Sequence, residues 1–221
     1  MAGSILPSMR LLRRLLSSTP PTTESDTGRS LSDEQRSSED PESHSWYVPS
    51  DAPASRFISP DGLPALRLIP YVDTSGEQVL RLIEDSSGLL VSPSHRSLAK
   101  AGIFVSQLRG ESYHEASCRQ GDFSPGATVR LVWEPANPHD ENAVAVYDAT
   151  GRHLAAYVNK QKARALSRLL DAGTELRAVS VRGTAARRPC LQVAIVAAEP
   201  TALERLQSAR PASSPKPAFL T

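Results

Sequence analysis

The stretch from Thr128 to Gly173 constrains the fold more than any other part of the chain. It opens as an alternating apolar strand, Val129-Arg130-Leu131-Val132-Trp133, and breaks into a polar loop from Glu134 to Asn142. The chain returns as Ala143-Val144-Ala145-Val146-Tyr147, turns between Asp148 and Gly151, and re-enters a strand from His153 to Val158. Period-two alternation marks half-buried strands. From Lys160 the period changes. At about 100° per residue, Ala163, Leu166, Leu169 and Leu170 share one side of a helix, while Lys160, Arg164 and Arg168, spaced by four, stack on the other. Asn159 suits the N-cap, and Gly173 suits a left-handed terminator. The loop carries two prolines, two asparagines, an aspartate and a histidine, more than a hairpin needs.

This stretch resembles the HIRAN domain, a small β-rich module of helicase-like DNA repair proteins and of stand-alone bacterial proteins. The matching positions are Glu134, Pro135, Asn137, Pro138, Asp140, Asn142, Ala143, Val144 and Val146, followed by Gly151, Tyr157 and the helix. His139 stands where the family has tyrosine, Ala156 where it has glycine, and Asn159 where it often has proline. The resemblance covers about Ile103 to Glu199 and implies a barrel of the OB type.

The residues point the same way. Five or six short strands with one helix predict a mainly β (α+β) fold, a small OB-like, partly open β-barrel, because only one connection is long enough for a helix. Residues 102–199 are expected to form this domain. Alternation at Ala65–Ile69 and Val79–Ile83, with the turn Asp85–Gly88, predicts a β-hairpin, and Ser97–Ala101 a short helix stopped by Gly102; together residues 57–101 form an extension packed on the barrel. Residues 1–56 are rich in Ser, Pro and acids and are expected to be disordered, as is the flexible tail 200–221. The cluster Trp46-Tyr47-Val48 either docks on the domain or a partner, or is a stray cluster in that tail. Met9 to Leu16, leucines broken by arginines, suits a frayed helix, an organelle transit peptide or a helix on an anionic membrane.

Net charge is +1, which argues against a generally basic nucleic-acid coat, yet charge is unevenly placed. Arg152 to Arg188 holds nine basic residues and two acidic ones, whereas Gly102 to Asp148 holds three and seven. No stretch reaches the ~18 apolar residues of a membrane span. Cys118 and Cys190 lack Cys-x-x-Cys spacing and read as two ordinary thiols of a reducing cytoplasm, not as a zinc site. A bacterial, cytoplasmic location is expected, with no metal and no cofactor.

The Asn-Pro-His-Asp loop has a structural reading, in which Pro138 fixes the backbone and Asp140 and Asn142 cap local amides. The family resemblance implies a binding role, capture of the 3′-hydroxyl end of single-stranded DNA. On that reading Asp140 accepts a hydrogen bond from the terminal hydroxyl, Asn137 positions the last nucleotide, His139 replaces the tyrosine that packs against it, and Lys160 meets a phosphate. Tyr157 holds the family's aromatic position before the helix. The family follows an arginine on its first strand with a stacking aromatic; here Gly110 follows Arg109, and Tyr113 is the nearest ring. Stacking contributes about 1–3 kcal/mol per base. Lys160, Arg164 and Arg168, with Arg182, Arg187 and Arg188, are expected to make a continuous positive strip, although a solvated surface row has the same pattern. The function that follows is non-enzymatic binding of DNA ends or damaged DNA in repair or processing, with a repair or helicase protein as a conceivable partner. Two other classes remain: a protein-interaction adaptor using the barrel for docking, and a metal-dependent nuclease built on His139, Asp140, Glu141 and His153. The last has no helix-borne ligand spacing behind it. The family's motor and zinc segments are absent from this sequence.

Overall fold

Strand β4 (Phe104–Arg109) pairs with both β7 (Leu154–Val158) and β9 (Ala194–Ala198), and this sharing closes a barrel. The structure is a computed structural model that describes residues 46–190 and 192–220. With β5 (Thr128–Trp133), β6 (Val144–Asp148) and β8 (Arg177–Arg182), the strand order is β4-β7-β6-β5-β8-β9, antiparallel throughout. The barrel is therefore closed where a partly open one was expected. The two seams that close it are short: Leu108–Arg109 against Val158–Tyr157, and Thr128–Val129 against Val179–Ala178. Pairing this brief leaves no pattern in sequence. Small side chains, among them Ala155, Ala156, Ala178 and Ala197, fill the narrow interior beside Leu108, Val144, Val146 and Ile195. After the single-turn helix α1 (Glu115–Cys118), helix α2 (Lys160–Asp171) plugs one end with Ala163 and Leu166.

The alternation of β8 and β9 serves two cores. Ala178, Val193, Ile195 and Ala197 point into the barrel, whereas Val179, Val181, Val196 and Ala198 point out. The outward set is buried against a sheet of β1 (Leu66–Val72), β2 (Gln78–Glu84) and β3 (Leu90–Val91), together with Phe57 and Leu98. The extension over 57–101 packs on the barrel, and Leu90–Val91, after the Asp85–Gly88 turn, makes the third of the two or three strands its sequence suggests. Its predicted short helix is a single 3-10 turn, Ala99–Ala101, ended by Gly102 at φ 74°.

Both flanks are more ordered than their composition suggests. The expectation of disorder fails for 46–56: Val48 N–H donates to Leu90 O at 2.8 Å, Leu90 N–H to Trp46 O at 2.7 Å, and Val48 is buried. A few apolar residues suffice there because β3 offers an open edge. The tail is likewise not free. Helix α3 (Pro200–Gln207) buries Leu203 and Leu206 in the second core, and Phe219 meets Tyr71 edge-on at 5.0 Å. The segments predicted within 1–45, the Leu-Arg stretch included, lie outside the described residues. Cys118 and Cys190, read as separate thiols, are instead joined as a disulfide with Cα atoms 5.6 Å apart. They are 72 positions apart in sequence, so only the closed barrel brings them together. Among the described residues no helix is long and apolar enough to cross a membrane.

A buried carboxylate ties the N-terminal segment to the sheet. Glu84, fully buried, receives Arg56 Nε and Nη2 at 2.6 and 2.7 Å and the Ser87 hydroxyl. Burial opposes its ionisation, but the Arg56 and Ser87 hydrogen bonds prevail and hold the carboxyl below its ordinary value. A lowered folded value means the contribution is complete above the unfolded pKa, about 4.3, and is lost as pH falls through the folded one. Glu84→Gln should cost about 1–3 kcal/mol at neutral pH by denaturant unfolding. The wild type should lose stability below about pH 4 more steeply than this variant.

Candidate nucleic-acid interface

The loop between β5 and β6 is closed by its own hydrogen bonds. Glu134 N–H donates to Ala143 O at 2.9 Å and Ala143 N–H to Asp140 O at 2.9 Å, while Trp133 Nε1–H crosses to Glu141 O at 2.8 Å. Two Asx turns shape the tip. His139 N–H donates to Asn137 Oδ1 at 3.0 Å, and Asn142 N–H to Asp140 Oδ1 at 2.9 Å. The structural reading of the loop therefore holds, and it leaves room for function. Asp140 Oδ1 takes a second, longer donation from Asn142 Nδ2 at 3.4 Å, and Oδ2 has no partner among the described residues.

Helix α2 meets this loop. Asn159 Oδ1 caps it by accepting Gln161 N–H at 3.1 Å, and Ser167 Oγ donates to Asn142 Oδ1 at 3.2 Å, fixing the loop to the second turn from the helix end. Asp140, Glu141, Asn142, Lys160, Arg164 and Arg168 together line a cavity of about 500 Å³. Lys160, Arg164 and Arg168 are exposed, and among the described residues none of them is ion-paired. Two carboxylates, Asp140 and Glu141, thus share with three cations a space wide enough for a phosphodiester.

A second group adjoins the loop through β7. Tyr157 OH donates to Glu134 Oε2 at 3.2 Å, and Asn137 Nδ2 donates to the same oxygen at 2.9 Å. The His114 ring packs on Tyr157 with centroids 5.7 Å apart. Arg109, exposed, pairs across the seam with Tyr157, and Tyr113 is 88% exposed, its ring beside Gly110. Tyr113 is therefore the free stacking surface next to Arg109. His139 is exposed at the loop tip and makes only the backbone contact given above.

Sequence reasoning missed Glu134, His114, Trp133 and Ser167 as supporting residues. Glu134 opens the motif and Trp133 precedes it, so both were legible in place if not in role; His114 and Ser167 carry no signal until β7 and α2 are placed. The expected continuous positive strip does not form. Arg182 ion-pairs with Asp73 at 2.7 Å beside β2, and Arg187 and Arg188 lie on the β8–β9 hairpin, away from α2. The reason is topological, since β8 leads away from the helix that precedes it. Nor are His139, Asp140, Glu141 and His153 brought together: among the described residues no three His, Cys, Asp or Glu side chains are grouped as metal ligands.

Residues 101–197 match the family model of the HIRAN domain. Solved structures that match include the crystal structure of the HIRAN domain of human HLTF, 20% identical, covering 48% of this chain and 83% of that one with a TM-score of 0.35. A crystal structure of a protein from Lactobacillus plantarum is 17% identical, covering 43% and 92% with a TM-score of 0.34. The NMR structure of the HLTF HIRAN domain is 17% identical, covering 46% and 81% with a TM-score of 0.31. No curated protein matches.

Burial, reinforced by the Glu134 carboxylate, pushes the Tyr157 phenol above its ordinary value. In an ultraviolet titration of the five tyrosines, Tyr157 should ionise late, and Glu134→Gln should bring it down without restoring the ordinary value, since burial persists. An unchanged curve in the variant removes Glu134 as a cause.

Proposed function

With residues 101–197 forming a HIRAN domain, a family of DNA-binding modules, we propose that this chain binds single-stranded DNA at a free 3′-hydroxyl end, without catalysing a reaction on it. The observation that carries the proposal is the half-buried Asp140 carboxylate, held by Asn142 through one oxygen and facing Lys160, Arg164 and Arg168. A terminal hydroxyl can donate a hydrogen bond to that carboxylate. An internal phosphodiester has no proton to donate there, and a terminal phosphate adds like charge. The cations of α2 then take the preceding phosphates, and Tyr113 offers a face on which a base can stack. Asn137, held by Glu134, and His139, at the tip, border the terminal sugar in this arrangement. A role in DNA repair or processing fits a module that recognises ends.

Fluorescence anisotropy with single-stranded oligonucleotides ending in 3′-hydroxyl or 3′-phosphate tests the proposal. The hydroxyl form should bind about tenfold tighter, the size of one charge-assisted hydrogen bond, and Asp140→Asn should erase the difference while leaving binding to blocked ends. Equal wild-type affinities would remove Asp140 from its role. With about four phosphate contacts, affinity should fall about fifty-fold between about 50 and 200 mM salt.

A further inference from the structure

The arginines that failed to join the α2 row gather elsewhere. Strand β6 leads from the Asp140 loop to the Asp148–His153 turn, so that turn lies at the opposite end of the barrel, five residues or about 17 Å away. Two other segments meet it there. A Cβ on Gly121 would stand 3.0 Å from His153 Cβ, and Leu154 N–H donates to Ser117 Oγ at 2.8 Å, placing the Ser117–Phe123 segment against the turn. The β8–β9 hairpin joins the same segment: Phe123 N–H donates to Thr184 O at 2.9 Å, Arg187 N–H to Arg119 O at 2.6 Å, and Cys190 is linked to Cys118.

These three segments, with the neighbouring strand β5, carry Arg119, Arg130, Arg152, Arg187 and Arg188, all exposed. Arg130 lies along Gly151, whose φ of 75° opens the turn; a Cβ there would be 3.4 Å from its Nη1. The nearby acids barely offset this charge. Glu115 reaches Arg119 only at 3.9 Å with both side chains more than half exposed, and Asp122 is engaged by Ser124 N–H and Oγ. Asp148 is buried under the turn, where it accepts from Thr150 Oγ1 and from the amides of Arg152 and His153. The hairpin is braced internally as well, with Thr184 Oγ1–H donating to Pro189 O at 2.9 Å. Five arginines on a braced backbone against three nearby carboxylates leave a net positive surface, which suits the non-bridging oxygens of phosphodiesters.

We propose that this end of the barrel is a second phosphate-binding surface, gripping the backbone of the same DNA strand several nucleotides before its 3′ terminus. The direction along the strand rests on the reading of Asp140 given above; the surface itself does not. At about 3.4 Å per phosphate along one strand of a helix, and more where a single strand is extended, at most about five phosphates span the 17 Å between the two ends. A three-nucleotide oligomer can reach only the Asp140 end, whereas an eighteen-nucleotide one reaches both.

Anisotropy with these two lengths, each with a 3′-hydroxyl and a 3′-phosphate, separates the ideas. At about 50 mM salt the longer DNA should bind wild type about tenfold or more tighter than the shorter, whatever its end. The variant R119Q/R152Q/R187Q/R188Q should bind the short DNA as wild type does and lose most of the gain on the long one. Its slope of log affinity against log salt on long DNA should flatten by about 3, from four contacts at about 0.7 each. Equal wild-type affinity for both lengths, or a variant that keeps the wild-type slope, overturns the proposal. Should the variant also lose the short DNA through misfolding, the wild-type salt slopes decide, since they must differ by about 3 or more between the two lengths. Loss of the 3′-hydroxyl preference alone would strike the Asp140 reading and leave this surface standing.

Discussion

Strand β9 is buried on both faces, and the rest of the structure follows from that. Its inward residues Ile195 and Ala197, with Val193 just before it, fill the barrel, while Val196 and Ala198 face outward into a second core. A barrel strand with one wet face would alternate apolar and polar residues; this one cannot be exposed without leaving an apolar patch in water. The three-stranded sheet, α3 and the segment around Phe57 supply the cover. They are parts of the domain's hydrophobic economy rather than appendages, which is why Trp46 onward and the tail as far as Phe219 are drawn in.

The covered side leaves the opposite wall, β5–β6–β7 with α2, free for a site. There the loop satisfies most of its polar groups internally, so its side chains are aimed without being neutralised. Glu134 and Asp140 show the difference. Glu134 is engaged by Asn137 and Tyr157 and acts as a brace; Asp140 gives one oxygen to Asn142 and keeps the other unpartnered among the described residues. Two carboxylates six positions apart thus differ in what they can still bind. The tie from Asn142 to Ser167 sets the distance between the acidic tip and the cationic row, so that a ligand would meet a prearranged pattern of charge.

Positive charge is divided between the two ends of the barrel. The α2 row sits beside Asp140 and Glu141, and the five arginines of the far end outnumber the acids near them. Arg182, at the end of β8, is taken up by Asp73 and serves the contact between sheet and barrel. A near-neutral net charge is therefore compatible with two localised positive surfaces, because acids are concentrated inside turns and at the sheet contact.

Much of this was written in the sequence. The strand–loop–strand–turn–strand–helix order, the caps at Asn159 and Gly173, the proline-bounded loop and the packing of 57–101 on the barrel depend on local periodicity and turn chemistry, which neighbours in the chain carry between them. The capping of a local amide by Asp140 was legible as well. Tertiary structure alone decided the closure through two short seams, the outward role of Val179 and Val181, the joining of Cys118 to Cys190, and the separation of Arg182, Arg187 and Arg188 from the α2 row. Each of these is a relation between residues far apart in the chain, and spacing along a sequence carries no information about which face of a closed barrel a distant side chain will meet.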